Sequence, residues 1–459
     1  MTSRFLIAAA HKSSGKTVVS TGLSRAVNMR GLTVQTFKKG PDYIDPMWLS
    51  LASGRPCYNL DFNTMTEQEI RNLLVSRSSG SDISVIESNK GLFDGVDLHG
   101  ADSNAAMAKL IKAPVILVVD ATGMTRGIAP LLIGYKAFDA EVNIAGVILN
   151  KTGGSRHEGK LRAAVEEYTD IPVLGAVGRS ADLEIGERHL GLTTPVETGR
   201  IQALIDQLGQ RMIDSVDVDA LINIANTAAD VTLAPHKVGN KYAQGLRIGV
   251  ARDTAFGFYY PDDFEIFEAA GAELVFFDTI NDQRLPDLDG LFIGGGFPET
   301  SMAALEANSQ MRRDIGQAIA DGLPAYAECG GLMYLCDTLE WNGRKHNMVG
   351  TIQGDAIMYD RPQGRGHTRL EASGDCLWQV EGGAFNAHEF HHAKVENLPN
   401  GTKFGFDVKR GSGISGVQDG VVVNNLMAGF CHMRNTESNP WVHRFLRHVL
   451  DVKARKNPA

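Results

Sequence analysis

Residues 5–17 have the sequence FLIAAAHKSSGKT, which decides the fold of the first half of the chain. The apolar run from Phe5 to Ala10 predicts a buried parallel strand, and a helix is predicted to begin at Gly15-Lys16-Thr17. A strand, a short polar loop and a helix N-terminus together bind anions, because loop N–H groups and the helix dipole both favour negative charge. Lys16 would reach the outer phosphates of a nucleotide, and the Thr17 hydroxyl can bind Mg²⁺.

The loop departs in one place from the usual phosphate-binding pattern, G-x-x-x-x-G-K-[ST]. Ala10 occupies the position of the first glycine in that pattern. The strand-loop-helix context is therefore what predicts ATP binding, against the alternative of a chance Gly-Lys-Thr turn. The predicted ATP-binding residues of this loop are His11, Lys12, Ser13, Ser14, Gly15, Lys16 and Thr17.

Size and composition limit the classes of protein that the chain can belong to. Its 459 residues are too many for one ordinary core, so two domains are expected. The net charge of −9, without a basic run, argues against nucleic acid or an anionic membrane as a partner. No apolar stretch approaches the ~20 residues of a transmembrane helix. Five cysteines without a C-x-x-C pair predict free thiols and a cytoplasmic location.

Apolar runs alternate with helical patterns through the first half of the chain. This β-loop-α alternation predicts a doubly wound, mostly parallel α/β sheet built around the phosphate loop. A helical pattern covers 201–224, and the polar, small-residue stretch 226–245 is predicted to be a linker. The predicted domains are therefore 1–225, which binds ATP, and 246–459, where a new α/β unit begins. The predicted strands of the first domain are 5–10, 32–38, 83–87, 114–120, 144–150 and 173–177.

Two aspartates follow the second predicted strand. Asp42 and Asp45 lie between Pro41 and Pro46, and the prolines predict an extended, non-helical loop. Open α/β sheets bind ligands at the carboxyl ends of their strands. These carboxylates could therefore hold Mg²⁺ or position a phosphate-bearing intermediate. A plain surface turn is the alternative.

Polar side chains also follow two later strands. Glu87 ends the strand 83–87, and Asp94 follows it in a glycine-flanked turn. Acidic residues in such positions beside a phosphate loop commonly contact Mg²⁺ or its water shell, although a capped turn is the alternative. Asn150 and Lys151 end another strand, where an amide and an ammonium group could recognise a nucleotide base or cap the loop.

The second organising stretch is 323–333, LPAYAECGGLM. A predicted strand ends at Glu328, Cys329 occupies a sharp turn, and Gly330 enters a helix, which is a nucleophile elbow with sulfur in place of oxygen. A thiol at a helix N-terminus has a lowered pKa, which favours the reactive thiolate. If the thiolate attacked an amide, the oxyanion would lie near Gly330 and the glycine triplet 294–296, unless that triplet is a mere tight turn. The predicted oxyanion hole is therefore formed by Gly295, Gly296 and Gly330.

The thiol needs a histidine as its base. His432 is preferred because it follows the strand-like run 426–431 and precedes a helix predicted from Trp441, which suits a loop at the rim of the sheet. The stretch 386–392, NAHEFHH, is open to three interpretations, namely substrate contact, a structural role and metal binding. The other candidate bases are His388, His391 and His392, with His346 and His367 less favoured.

Together these motifs resemble the cobyrinic acid a,c-diamide synthase family, and the resemblance extends over nearly the whole chain. That family pairs an ATP-dependent, dethiobiotin-synthetase-like domain with a class I-type glutaminase domain, which implies the same architecture for 1–225 and 246–459. The stretches that carry the resemblance are FKKGPDYIDP (37–46), 55–61, GLFDG (91–95), RHLGL (188–192), FYYPDDFE (258–265), GGGFPE (294–299), AECGGLMYL (327–335) and HEFHHA (388–393).

The resemblance implies a carbon–nitrogen ligase that takes nitrogen from L-glutamine. Cys329, with His432 as base, would hydrolyse glutamine through a thioester and release ammonia. ATP and Mg²⁺ would serve to phosphorylate the a and c acetate side chains of a cobyrinate-type tetrapyrrole, and ammonia would displace phosphate from the acyl phosphate. Asn150 and Lys151 are added to the ATP site, and the predicted Mg²⁺ ligands are Thr17, Asp45 and Glu87. The residues predicted to contact the substrate or its intermediate are Lys39, Asp42, Tyr43, Asp45, Asp94, Arg188, His388 and His391.

One departure concerns the glutaminase site. Many members of the family have His-x-His near the base, and other class I glutaminases often have Glu two residues after it. This chain has His432-Met433-Arg434 instead. Because Arg434 cannot act as an acidic partner, a Cys-His dyad is predicted, with no third group assigned.

Other functions stay open. The same chemistry on sirohaem, sirohydrochlorin or nickel-sirohydrochlorin is one alternative, since these macrocycles present similar acetate groups. A P-loop ATPase with a non-catalytic glutaminase-like domain, and a chaperone that binds a macrocycle, are alternatives of other classes. A homodimer is a candidate assembly.

Overall fold

Seven parallel strands form the central sheet of the first half of the chain. They are seen in a computed structural model that describes residues 3–180, 187–188, 191–192, 201–233, 241–380 and 383–456. The chain divides into two compact units, Met1–His236 and Lys237–Ala459. Among the described residues, no helix has both the length and the apolar character needed to cross a membrane.

The first unit has the strand order β3-β2-β4-β1-β5-β6-β7 in its main sheet, and every neighbouring pair is parallel. The strand that precedes the phosphate loop, β1, therefore lies at the centre. The elements are β1 (Ser3–Ala9), α1 (Lys16–Met29), β2 (Val34–Lys39), α2 (Ile44–Ser53), β3 (Tyr58–Leu60), α3 (Glu67–Ser78), β4 (Ile83–Glu87), α4 (Asn104–Leu110), β5 (Val115–Asp120), α5 (Ile128–Phe138), β6 (Ile144–Thr152), α6 (Ser155–Tyr168), β7 (Val173–Gly178), β8 (Glu187–Arg188), β9 (Gly191–Leu192), α7 (Ile201–Ser215) and α8 (Val218–Ala225).

Both faces of this sheet are covered. Alternate residues of β1 pack into different cores, Phe5 and Ile7 with helices α1, α7 and α8, and Leu6 and Ala8 with α3 to α6. A strand that is buried on both faces needs apolar residues at consecutive positions, which explains why its sequence is a continuous apolar run. The predicted doubly wound α/β fold is confirmed.

One local prediction for this unit is wrong, and the helical pattern predicted for 201–224 is confirmed with one break. Helix α2 begins at Ile44, so Asp45 and Pro46 lie in its first turn rather than in an extended loop. Proline is compatible with that position, because the first N–H groups of a helix have no partner within the helix. The stretch 201–224 forms two helices, α7 and α8. Asp217 is the N-cap of α8, and its side chain accepts a hydrogen bond at 2.9 Å from the backbone N–H of Ala220.

The second unit contains a nine-stranded mixed sheet with the order β12-β10-β13-β15-β24-β23-β22-β19-β20. The first five strands are parallel, and the remaining pairs are antiparallel. The elements are β10 (Arg247–Ala251), β11 (Phe256–Phe258), α9 (Pro261–Ala269), β12 (Glu273–Phe277), β13 (Gly290–Ile293), β14 (Gly295–Gly296), a 3₁₀ helix (Pro298–Ser301), α10 (Met302–Ala307), α11 (Ser309–Ala320), β15 (Ala325–Glu328), α12 (Gly330–Leu335), β16 (Cys336–Trp341), β17 (Arg344–Asn347), β18 (Ile352–Met358), β19 (Gly364–Ala372), β20 (Phe385–His391), β21 (Ala393–Glu396), β22 (Lys403–Arg410), β23 (Gln418–Val423), β24 (Leu426–Gly429) and α13 (Trp441–Lys456).

Aromatic packing fixes the strands that position the predicted nucleophile and base. Phe292 of β13 stacks on Tyr326 of β15 with 5.6 Å between ring centroids, and Trp441 of α13 lies 5.1 Å from the Phe292 ring. The other face of the sheet packs against α10 to α12. Strands β13, β15 and β24 are adjacent, so the residues that follow them meet at one edge of the sheet.

Candidate active sites

The phosphate loop connects β1 to α1. Gly15 has φ 79°, and a Cβ atom at this position would lie only 2.4 Å from Nδ2 of Asn150, so glycine is required on two grounds. Inside the loop the Ser14 hydroxyl donates a hydrogen bond to the carbonyl of His11 at 2.7 Å, and Nδ1 of His11 contacts the carbonyl of Lys12 at 2.7 Å. The backbone is therefore held in the compact form that a phosphate cradle needs.

Asn150 and Lys151 contact this loop from the end of β6. Asn150 donates from Nδ2 to the carbonyl of Ser14 at 2.8 Å, and Lys151 donates from Nζ to the carbonyl of Ser13 at 3.0 Å. These contacts agree with the predicted alternative that both residues support the loop. Both side chains also line a cavity of about 310 Å³ beside Gly15, which suits the alternative role of base recognition.

Lys16 and Lys38 bring two ammonium groups to the same place. Lys38 is almost fully buried at the end of β2, where its Nζ contacts the carboxylates of Asp45 and, at 2.9 Å, Glu87. Burial lowers the pKa of Lys16, and the neighbouring charge of Lys38 lowers it further, to about 8. Burial would also lower the pKa of Lys38, but Asp45, Glu87 and Asp42 outweigh it and hold that pKa well above its usual value.

Sequence reasoning missed Lys38. Two consecutive lysines end a buried strand, and alternation in a strand sends their side chains to opposite faces. Lys38 lies among the acidic groups, whereas Lys39 donates from Nζ to the carbonyl of Asp102 at 2.5 Å. The signal was present, since a lysine within a strand buried on both faces needs a partner or a function.

The residues predicted to bind Mg²⁺ lie together. The Thr17 hydroxyl donates to Oε1 of Glu87 at 2.9 Å, and it also lies close to Asp45. The other carboxylate oxygen of Glu87, Oε2, is buried and has no hydrogen-bond partner among the residues that the structure describes. Two carboxylates and a hydroxyl are a donor set that suits Mg²⁺, with phosphate oxygens and water completing the shell. In the described ranges, no group of three or more His, Cys, Asp or Glu side chains is arranged for a metal.

Some of the residues predicted to contact the substrate lie near this cluster in the first unit. Oδ1 of Asp42 accepts hydrogen bonds from the N–H groups of Ile44 and Asp45 at 3.0 and 3.1 Å, and its pKa is raised to about 7 by burial and by the Asp45 charge. Tyr43 is buried at the start of α2. Asp94 accepts a hydrogen bond from the N–H of Gly91 at 2.9 Å. Arg188 belongs to β8, and its side chain lies outside the described part of the chain.

Cys329 occupies a sharp turn between β15 and α12. Its φ is 47° and its ψ is −101°, an unfavourable conformation for a residue with a side chain. Its N–H donates to the carbonyl of Gly429 at 2.7 Å. A Cβ atom at Gly331 would lie 2.2 Å from the carbonyl oxygen of Ile293, so the second glycine of Cys-Gly-Gly lets the helix approach β13.

His432 lies next to Cys329. The Cys329 thiol contacts the imidazole, and Nδ1 of His432 lies 3.3 Å from Oε2 of Glu328. Burial alone would lower the pKa of His432, but the contacts with Cys329 and Glu328 outweigh it and raise the pKa to about 10. The structure therefore brings together the predicted nucleophile and the predicted base, and adds an acidic group that the sequence reasoning did not identify.

The predicted oxyanion-hole glycines also converge on this point. Gly295 and Gly296 form β14, which pairs with β11. A Cβ atom at Gly330 would lie 3.0 Å from the backbone nitrogen of Gly296, and one at Gly295 would lie 2.6 Å from Cε1 of His432. Close backbone approach at all three glycines suits the stabilisation of a charge that develops beside the sulfur.

Strand β20, which contains the first four residues of the HEFHH motif, packs against the base. The rings of His388 and His432 are stacked with 4.9 Å between centroids, and the N–H of His432 donates to the carbonyl of His388 at 2.8 Å. Burial and the nearby His432 hold the pKa of His388 well below its usual value. His391 is buried against the Phe430 ring, with 3.8 Å between centroids. These contacts suit structural support, and substrate contact by either histidine stays a prediction.

Arg434, the departure noted in the sequence, contacts a different carboxylate. It is 1% exposed and donates from its guanidinium to Asp262 at 2.8 Å, with its Cζ atom 4.9 Å from the centre of the Tyr260 ring. The next carboxylate, Asp263, accepts hydrogen bonds from the N–H of Asn435 at 2.9 Å and from Trp441 Nε1 at 3.0 Å. The YYPDD motif thus anchors the segment that follows the base.

Two domain families match the chain. Residues 5–192 match the CobQ/CobB/MinD/ParA nucleotide binding domain, and residues 247–440 match the CobB/CobQ-like glutamine amidotransferase domain. Fold and sites together therefore define a protein that combines a nucleotide-binding domain with a glutamine amidotransferase domain.

Curated relatives extend over nearly the whole chain. A cobyrinate a,c-diamide synthase of Magnetococcus marinus is 42% identical over 97% of this chain and 97% of its own. The protein of that name from Methanosarcina acetivorans is 40% identical over 94% and 92%, and the one from Picrophilus torridus is 39% identical over 97% and 99%. The chain belongs to the cobyrinate a,c-diamide synthase family. This membership confirms the predicted class of enzyme, a carbon–nitrogen ligase with a glutamine amidotransferase domain.

Proposed function

We propose that this protein uses ATP and glutamine to convert the a and c acetate side chains of a cobyrinate-type tetrapyrrole into carboxamides. The observation that carries the proposal is the contact between Cys329 and His432 at a strained elbow, in a chain that also has a phosphate loop. The names of the full-length relatives favour cobyrinate among the candidate macrocycles.

In the glutaminase step, the Cys329 thiolate attacks the side-chain amide carbon of glutamine. The negative charge that develops on the carbonyl oxygen faces the backbone N–H groups of Gly295, Gly296 and Gly330. His432 then donates its proton to the departing nitrogen, which leaves as ammonia while a thioester forms. Water, deprotonated by His432, hydrolyses the thioester to glutamate and restores the thiol.

In the activation step, an acetate oxygen of the tetrapyrrole attacks the γ-phosphate of ATP and ADP leaves. Ammonia then attacks the carbonyl carbon of the acyl phosphate, phosphate leaves, and the amide remains after loss of a proton. Activation is needed because a carboxylate does not react with ammonia at a useful rate. Lys16 and Lys38 would stabilise the charge on the transferring phosphoryl group. Mg²⁺, when bound by Thr17, Asp45 and Glu87, would neutralise phosphate charge.

The acetate and its activated form are proposed to lie against the end of β2 and the turn after β4. Lys39, Asp42, Tyr43 and Asp94 are the candidate contacts there, and Arg188 stays a predicted contact. Asp42 is suited to accept the proton that ammonia loses, because burial and the neighbouring Asp45 raise its pKa to about 7. Base recognition by Asn150 and Lys151 is part of the same proposal, supported by the cavity that both residues line.

Mass spectrometry of the products tests this function. The protein is incubated with ATP, Mg²⁺ and glutamine together with cobyrinate, sirohaem, sirohydrochlorin or nickel-sirohydrochlorin, and amidation is detected as replacement of OH by NH₂. Amides on cobyrinate are expected, and amides on another macrocycle alone would reassign the substrate. Phosphate release without any amide, together with no glutamate release, would favour the alternative of an ATPase with a non-catalytic second domain.

Two variants separate the proposed sites. Cys329→Ala should abolish amide formation with glutamine and retain it with ammonium chloride, because it removes only the source of nitrogen. Lys16→Ala should abolish amide formation with either nitrogen source, because it impairs activation. Equal loss with both sources in Cys329→Ala would contradict the separation. Sedimentation of the purified protein tests the candidate homodimer.

A further inference from the structure

Glu328 immediately precedes the nucleophile, yet its side chain is directed at the base. Oε2 of Glu328 lies 3.3 Å from Nδ1 of His432, and both side chains are about 3% exposed. Strand β15 pairs in parallel with β24, so Glu328 lies opposite Gly429, three residues before the histidine. The positive φ of Cys329 turns the chain directly after Glu328, so the Cys329 sulfur and the Glu328 carboxylate can reach the same imidazole.

The carboxylate of Glu328 is fixed by two further donors. Its Oε1 accepts a hydrogen bond from the Tyr326 hydroxyl at 2.7 Å and another from the N–H of Met433 at 2.8 Å. Met433 follows His432 directly, so the same side chain holds both the backbone and the ring of the base. A buried carboxylate that accepts from several donors has a defined orientation, which is what a group that positions a histidine requires.

Other buried carboxylates near this segment have different partners. Asp419 accepts hydrogen bonds from the N–H groups of Phe430 and Cys431, both at 3.0 Å. Asp262 is paired with Arg434, as described above. Asp419 thus holds the backbone before the base and Asp262 pairs with a side chain after it, whereas Glu328 contacts the imidazole itself.

We propose that Glu328 is the third member of the glutaminase site, a positioning residue that orients His432 and stabilises its protonated form. Because Nδ1 faces the carboxylate, Nε2 is the nitrogen available to Cys329. The role resembles that of the aspartate in a Ser-His-Asp triad, with the acid placed before the nucleophile in the sequence. The inference rests on the proposed functions of Cys329 and His432.

Glu328→Gln is the decisive variant, because it keeps the size of the side chain and removes its charge. Glutamate release is measured in the full-length protein with ATP, Mg²⁺ and cobyrinate present. The expected result is a fall in kcat of at least about 10²-fold with a smaller change in KM for glutamine. Loss of the negative charge also destabilises the imidazolium, so the alkaline limb of the kcat profile should move to lower pH.

The groups that face the imidazole determine how the pH profile is interpreted. Besides Glu328, they are Cys329 from the elbow and His388 from β20, and the charge of Arg434 lies nearby. Asp419→Asn is the matched control, since it neutralises a buried carboxylate that accepts hydrogen bonds from the backbone just before His432 and does not contact the ring. This control should lower thermal stability and leave the pH of the alkaline limb unchanged.

A second variant keeps the proposal testable if Glu328→Gln does not fold. Glu328→Asp retains the charge and should keep the alkaline limb near its original pH with an intermediate kcat. A purely structural role would instead give Glu328→Gln and Asp419→Asn the same loss with no shift of the limb, which would overturn the proposal. Full glutaminase activity in Cys329→Ala would show that the proposed glutaminase site itself is wrong. If Cys329→Ala loses this activity and Glu328→Gln retains it, only the role of Glu328 is refuted.

Discussion

Gly295→Ala tests whether the glycine triplet and the base are as close as the structure places them. The added methyl carbon would lie 2.6 Å from Cε1 of His432 and 3.3 Å from two atoms of Phe258. Since non-bonded carbon atoms rest at about 3.5–4.0 Å, roughly 1 Å of overlap with the imidazole must be relieved. The substitution keeps the backbone N–H, so it acts by displacing the ring rather than by removing an oxyanion donor.

A displacement of this size has a predictable kinetic cost. A misplacement of about 1 Å of a catalytic group can cost about 10²-fold in rate, so kcat for glutamate release should fall by about that factor. Amide formation driven by ammonium chloride should be retained, because it does not depend on the Cys329 thiol. Both rates are measured on the same preparation, so loss of folded protein would lower them together.

Gly316→Ala is the matched control for this variant. Gly316 lies in α11, and a Cβ atom there would be 3.5 Å from Cγ1 of Val349, an ordinary contact. The control should therefore leave both rates unchanged. If Gly295→Ala released glutamate as fast as Gly316→Ala, the close approach of the triplet to His432 would be refuted.

Three further predictions concern buried cations. Arg434→Met should lower the free energy of unfolding of the second unit by about 3–5 kcal/mol in urea denaturation, because the Asp262 carboxylate is left without its partner. Lys38→Met should lower the free energy of unfolding of the first unit by about 3–5 kcal/mol, because the buried Glu87 carboxylate loses its charged partner. ATP affinity, measured by titration calorimetry, should weaken as the pH rises through about 8, where Lys16 loses its charge.

Each of these predictions has a control and a contrary outcome. The double variant Arg434→Met with Asp262→Asn should recover stability, and no recovery would argue against a shared ion pair. Lys109→Met breaks an exposed pair and should cost no more than about 1 kcal/mol, so an equal cost for Lys38→Met would contradict its buried role. Lys16→Arg should bind ATP with little pH dependence, and an unchanged dependence would assign the titration to another group.

Local sequence was sufficient for the elements whose pattern is complete within a few residues. The run from Phe5 to Ala10 predicted β1 because a strand buried on both faces typically has a continuous apolar sequence. The elbow at Cys329 was predictable because small residues on its C-terminal side are needed where the chain turns against β13. Helix α2 differs from the prediction because Pro46 is compatible with a first helical turn as well as with an extended loop.

Lys38 and Glu328 were missed for a different reason. Each lies next to a residue that was predicted to be functional, Lys39 and Cys329 respectively. Strand pairing decides which of the two adjacent side chains faces a site. Lys38 meets Glu87 only because β2 and β4 are adjacent in the sheet, and the two residues are registered partners. Glu328 reaches His432 only because β15 pairs with β24, more than a hundred positions further along the chain. Such pairings are not encoded in the spacing within a motif.

The sequence His432-Met433-Arg434 illustrates how strand pairing can bring an acidic side chain to the base when the sequence motif after the base contains none. An acidic residue two positions after the base would be held by the same loop as the base. In this chain that position is occupied by Arg434, which forms an ion pair with Asp262. The neighbouring strand brings Glu328 to the imidazole instead. An acidic side chain at the end of the nucleophile strand is therefore the feature to look for wherever a Cys-His glutaminase lacks an acid after its histidine.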